Sequence, residues 1–167
     1  MKKLLLAITL LLPILSQSNA FAQSSAAEQE HNREIDVAKL LENDFALVVG
    51  RYEGNATAGS EQYKLNVDLR MSRIIVAGMS VPQPILTGVL NITPASNENY
   101  TLAYPFNAGI YDSTSHMLTF HVPGMDASSG VDVQCIRNTD ESLSCDWLST
   151  DISNEIKFTL IKNKPTN

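Results

Sequence analysis

The clearest pattern in the chain runs from Tyr63 to Met71, where Tyr63, Leu65, Val67, Leu69 and Met71 alternate with Lys64, Asn66, Asp68 and Arg70. A period of two places the first set on one face of a strand and the second on the other, so the stretch predicts a strand with one buried and one wet face. Weaker alternations follow: Leu86, Gly88, Leu90 and Ile92; Tyr100, Leu102, Tyr104 and Phe106; His116, Leu118, Phe120 and Val122; and Ile156, Phe158 and Leu160. Pro105 predicts that at least the end of its strand is an edge, because proline cannot donate to a ladder. Phe45 to Asn55 reads as a strand that starts apolar on both faces and turns polar past Gly50, where glycine predicts a bulge or a close backbone approach. Ile74 to Ala77 reads as a short apolar strand, Gly78 to Pro84 as a loop outside any sheet, and Tyr111 to Ser115 as a turn.

Val131 to Leu148 holds both cysteines and the only tryptophan. Folded about Asp140, it places Cys135 opposite Cys145, Val133 opposite Trp147 and Arg137 opposite Leu143, with Asn138 to Ser142 as the turn. Directly opposed β-carbons lie within disulfide reach, so the two cysteines are expected to form a structural cross-strand bond with Trp147 facing the core.

Ahead of the strands, Gln23 to Asn32 is polar without an apolar face and reads as a disordered lead. From Arg33 to Glu42, Ile35, Ala38 and Leu41 recur at spacing three beside Val37 and Leu40, which predicts a short helix covering an open end or edge of the sheet. The connections are too short for parallel crossovers, so an antiparallel meander follows. The expected fold class is all-β: an up-and-down antiparallel barrel of about eight or nine strands, or else a β-sandwich, preceded by one short helix. Asn43-Asp-Phe-Ala-Leu-Val-Val-Gly-Arg-Tyr-Glu resembles the opening of lipocalin-type barrels, a short helix followed by a Gly-x-Trp strand. The likeness covers about a dozen residues; Tyr52 stands in the tryptophan's place, the Phe-to-Gly spacing is short, no second motif follows, and no family assignment rests on it.

Met1-Lys-Lys, the apolar run Leu4 to Leu15 and Ser16-Gln-Ser-Asn-Ala-Phe-Ala have the three parts of a secretory signal. Cleavage is expected after Ala22, with Ala20 the alternative; a membrane anchor is the competing reading, but spanning needs about 20 apolar residues. Residues 1–22 are thus expected to be the signal, 23–32 the lead and 33–167 a single domain, periplasmic or secreted. Without Lys2 and Lys3, ten basic residues face 18 acidic ones, a net charge of −8 that disfavours nucleic acid and anionic membranes as partners. No stable membrane insertion is expected once the signal is removed. Two cysteines in an oxidising compartment most simply form one disulfide.

Local motifs for chemistry are sparse. His31 falls in the lead, and His116 and His121, five apart on one strand, point to opposite faces and cannot share a metal. Ser80 follows Gly78 in an imperfect nucleophile elbow and reads as a loop serine; Asp126 to Asp132 lacks the oxygen series of a calcium loop and reads as a turn. Asn55-Ala-Thr, Asn91-Ile-Thr and Asn99-Tyr-Thr fit the glycosylation pattern, here read as coincidental. No cofactor, metal ligand or catalytic residue is nominated. Strand aromatics are ordinarily core; should Tyr100, Tyr104, Phe106 and Tyr111 line an open barrel mouth, they are the candidate ligand surface. The favoured function is an exported non-enzymatic binding module for a small apolar ligand or an envelope protein partner. The alternatives are an exported hydrolase assembled across strands with His116 or His121 as base, and a structural envelope protein; an outer-membrane barrel is disfavoured by short strands and few aromatics.

Overall fold

The computed structural model describes residues 25–124, 130–148 and 156–164. Eight strands follow one helix, α1 (25–46): β1 (Gly50–Ala58), β2 (Glu61–Ile74), β3 (Gln83–Pro94), β4 (Leu102–Asp112), β5 (Met117–Val122), β6 (Val131–Arg137), β7 (Leu143–Leu148) and β8 (Ile156–Lys162). Each strand pairs antiparallel with the next, and β8 returns to β1, closing an up-and-down barrel rather than a sandwich. The alternating residues point as their period dictates, with Leu65, Val67, Leu69, Leu90, Leu118, Phe120, Val133 and Leu160 all buried inside. Each such side chain contributes roughly 1.5–3 kcal/mol on burial. Phe106 stacks on Phe120 with centroids 4.4 Å apart, so the middle of the barrel is filled by side chains.

The β6–β7 hairpin has the register its symmetry predicts: Val133 faces Trp147, Cys135 faces Cys145, and Arg137 faces Leu143. The disulfide joins Cα atoms 4.0 Å apart and is buried on the inner face. Trp147 is only half-buried, for a reason that emerges at the barrel mouth.

Several boundaries differ from expectation, those at α1, β1 and the β2–β3 hairpin most of all. The helix spans 25–46 rather than 33–42, so residues 25–32, expected to be a disordered lead, are helical though exposed. Ala26, Ala27, Glu28, Gln29 and Glu30 are strong helix formers, and carboxylates in the first turns offset the helix dipole; a helix can extend on propensity where it has no apolar face. Phe45 to Val49, expected to open a strand, instead end the helix and its turn: Ala38, Leu41, Phe45 and Val48 continue the helical stripe, and the strand starts only at Gly50. Gly50 has φ 147°, a conformation that favours glycine, and the Lys162 side chain crosses where a β-carbon would stand. Finally, β2 and β3 form a longer hairpin than expected, with Arg73 paired to Pro84 and Ile74 to Gln83. Pro84 therefore lies in a strand, beyond the reach of β4 and flanked by β2 alone, and Ile75 to Ala77 are loop, Ile75 being 81% exposed.

The projecting hairpin and α1 lean on each other. Glu34 Oε2 accepts hydrogen bonds from Ser80 N (2.8 Å), Ser80 Oγ (2.7 Å) and Val81 N (3.0 Å), and Arg73 pairs with Glu42 at 2.5 Å. One strand further round the barrel, β4 meets β5 only from Ile110 to Asp112 against Met117 to Thr119. Among the described residues, Pro105 pairs with Val89 of β3, while the other flank of β4 at that height has no β5 partner, so the stretch is an edge on one side only.

Candidate binding site at the open mouth

The two ends of the barrel differ in chemistry. At the α1 end, Phe45 and Val48 drop into the core and close it. Tyr52 Oη donates to Val48 O at 2.7 Å, and Arg137 Nε donates to Leu47 O at 3.1 Å, so the turn after the helix is tied to β1 and β6. Glu141 pairs with Lys162 at 3.4 Å and Arg137 at 3.7 Å, and Lys162 Nζ lies 5.9 Å from the Tyr52 ring centroid. Burial pushes the Tyr52 phenol from 10.0 up to about 12, and raises that of Tyr111 as well. Tyr111 Oη is buried without a hydrogen-bond partner.

At the other end no helix closes the barrel among the described residues, and a concavity of about 240 Å³ opens into it. Its wall is Ala56 and Ala58 of β1, Tyr63 and Leu65 of β2, Ile92 of β3, Leu102 and Tyr104 of β4, Trp147 of β7 and Ile156 of β8. Two alanines face three aromatic rings, and this size difference leaves space where larger side chains would have filled the layer. The surface is apolar, with the two phenol hydroxyls and the indole N–H as its polar groups. Such a wall takes an apolar group by excluding water and can orient it with at most a few hydrogen bonds. Trp147 is half-buried because one side of it forms this wall.

The four aromatic residues singled out in the sequence do not form one surface. Tyr104 lines the mouth; Tyr100, 51% exposed, lies in the β3–β4 connection; Phe106 is buried in the stack with Phe120; and Tyr111 is buried at the closed end within β4, not in a turn. Of the other lining residues, Tyr63, Leu65, Ile92, Leu102, Trp147 and Ile156 were legible as inward-facing, but their height along the barrel was not; Ala56 and Ala58 lie beyond Asn55, where the strand was expected to end, because β1 continues to Ala58 against β2. The available signal was position: each lies within a few residues of a strand end remote from α1.

The candidate nucleophile and bases are placed as follows. His116 sits in the β4–β5 turn with φ 57°, not in a strand, and His121 points outward to Asp132 at 2.8 Å. His31 and Ser80, far apart in sequence, meet: His31 Nδ1 lies 2.7 Å from Ser80 Oγ, beside Glu34. The order is nevertheless wrong for a triad, in which the imidazole stands between nucleophile and carboxylate. Here the serine stands in the middle and its hydroxyl donates to Glu34, and the Ser80 and Val81 amides that could serve an oxyanion also donate to Glu34. The cluster is a clasp between helix and hairpin, and the Ser80 hydroxyl holds the Glu34 carboxyl below its ordinary range. Among the described residues no group of three or more His, Cys, Asp or Glu side chains is arranged to hold a metal ion. Most of the Asp126 to Asp132 loop lies outside the described residues.

The fold and mouth define a closed eight-stranded antiparallel barrel, one end plugged by a helix and the other, among the described residues, open and apolar. No helix among the described residues is long and apolar enough to cross a membrane. Comparison of the chain with protein-family models, curated proteins and solved structures gives no match.

Proposed function

We propose that this protein is an exported binding module that receives a small apolar group in the open mouth of its barrel. The observation that carries the reading is the 240 Å³ apolar concavity walled by Tyr63, Tyr104 and Trp147. The filled barrel centre leaves no room for a ligand there, so binding belongs to the mouth. Export is supported by the signal-like residues 1–22 and by a buried disulfide, which persists in an oxidising compartment. Trp147 is the only tryptophan and lines the site, so its emission reports occupancy directly. Titration with linear alcohols from butanol to decanol should give a saturable change that strengthens with chain length until the cavity is full. Ala58→Leu, which fills the mouth, should weaken it. No saturable response from any alcohol, with the fold intact by circular dichroism, would refute the reading. Amino-terminal sequencing of the protein recovered outside the cytoplasm should begin at Gln23.

A further inference from the structure

A second concavity, about 390 Å³, lies on the outer face of β1 to β3 and shares Tyr63 with the mouth. Its floor is set by register: Asn55 pairs across to Lys64, and Lys64 to Thr93, so three outward side chains from three strands stand in a row. Asn66 and Gln62 flank Lys64 on the same face of β2, and Pro94, Ala95 and Glu98 form the far wall. That wall is pinned before any ligand arrives, because Ala95 N donates to Gln62 O at 2.8 Å and Ser96 Oγ donates to Glu61 Oε1 at 2.5 Å. The side-chain amides of Asn55, Gln62 and Asn66 and the ammonium of Lys64 have no hydrogen-bond or ion-pair partner among the described residues.

Resting on the mouth as the apolar site, we propose that the ligand is an amphiphile with a neutral, hydroxyl-rich head: its apolar part occupies the mouth and its head crosses the rim at Tyr63 into this outer groove. Three observations converge on that class. The mouth is smaller than the roughly 300–1,000 Å³ of sites that enclose a whole ligand, so it accommodates a ring or short chain and leaves the remainder outside. The groove presents planar amides, each offering both donors and an acceptor, which is the complement of adjacent hydroxyls that donate and accept together. One lysine with one glutamate in the lining leaves no net charge to favour a phosphate or sulfate head.

The test compares octyl β-glucoside with 1-octanol on the folded, disulfide-bonded protein, both below micelle-forming concentrations, with Trp147 emission as the readout. The glucoside should bind about tenfold more tightly, the worth of one or two additional neutral hydrogen bonds. In the triple variant Asn55→Ala, Lys64→Ala, Asn66→Ala, altered only at outward-facing positions, glucoside affinity should fall to that of octanol while octanol affinity stays unchanged. Equal affinities in the unaltered protein, or a glucoside advantage that survives the triple variant, would overturn the head-group assignment and leave the mouth reading standing. Failure of both probes to bind would overturn the mouth itself and the assignment with it.

Discussion

Replacing Tyr52 by Phe removes one atom from the barrel's closed end, and its consequences differ in sign at two ends of the pH scale. The ring stays in its buried place; what is lost is the 2.7 Å bond to Val48 O, at the turn where the helix enters the core. A neutral hydrogen bond contributes about 0.5–1.5 kcal/mol net, and an acceptor stranded in a buried site costs about 1–3 kcal/mol. The variant should therefore be destabilised by about 2 kcal/mol at pH 7, read as a lower urea midpoint at unchanged slope. At high pH the comparison reverses. The Tyr52 phenol ionises at about 12 in the fold instead of 10.0, so its contribution is complete below pH 10.0 and is lost as pH rises toward 12, because the unfolded chain sheds the proton first. Two pH units of such loss amount to roughly 2–3 kcal/mol. Phenylalanine has no proton to lose, and every other titrating group is common to both proteins. The stability gap should thus be widest at neutrality, close between pH 10 and 12, and vanish or invert at the top of that range. A gap of constant size across the range, or none at pH 7, would refute this account of the plug.

Three further outcomes follow from the same contacts. Replacing both Cys135 and Cys145 by Ala should cost roughly 3 kcal/mol, about 10 °C in Tm, while leaving Trp147 titrations unchanged at permissive temperature; lost binding at an unchanged Tm would assign the pair a role in the site. Gly54→Ala places a β-carbon 2.1 Å from Thr159 O across the β1–β8 seam, and should destabilise by about 1–3 kcal/mol or more, with hydrogen exchange accelerated first in β1 and β8. Glu34 titrates below its ordinary 4.5 in the fold, so the helix clasp contributes stability above that pH and loses it as pH falls through the lower folded value. Glu34→Gln should accordingly abolish this acid-range dependence and, at pH 7, speed exchange of the Ser80 and Val81 amides; unchanged exchange would show that the clasp does not hold the hairpin.

Side-chain period reports which face a residue occupies, and where a strand pairs on one known register, as in Cys135 opposite Cys145, that was enough to place it. The same information fails wherever height along the barrel decides the role. Tyr104 and Phe106 share a face two residues apart, yet one lines the mouth and the other is deep in the stack with Phe120. Parity also breaks in β4, where the register against β3 shifts between Leu86 and Gly88 and brings Gly109 and Tyr111 inward on odd positions after Tyr104 and Phe106 on even ones. At the helix boundary, Phe45 and Val48 satisfy both a helical stripe and an apolar strand start; tertiary closure of the barrel end, which no local window contains, selects the helix. The outer groove was invisible for a different reason, since Asn55, Lys64 and Thr93 become neighbours only through two strand registers.

The seam between β1 and β8 joins Tyr52 to Lys162 and Asn55 to Thr159, residues at the two ends of the barrel's strand order. Every other pairing is between consecutive strands and can form as soon as its hairpin exists. Closure alone waits for the last strand, so a chain that has not yet placed β8 carries two open edges and no sealed core. The barrel's topology thereby times its own completion: until Ile156 to Lys162 is free to pair, β1 and β7 each keep an open edge.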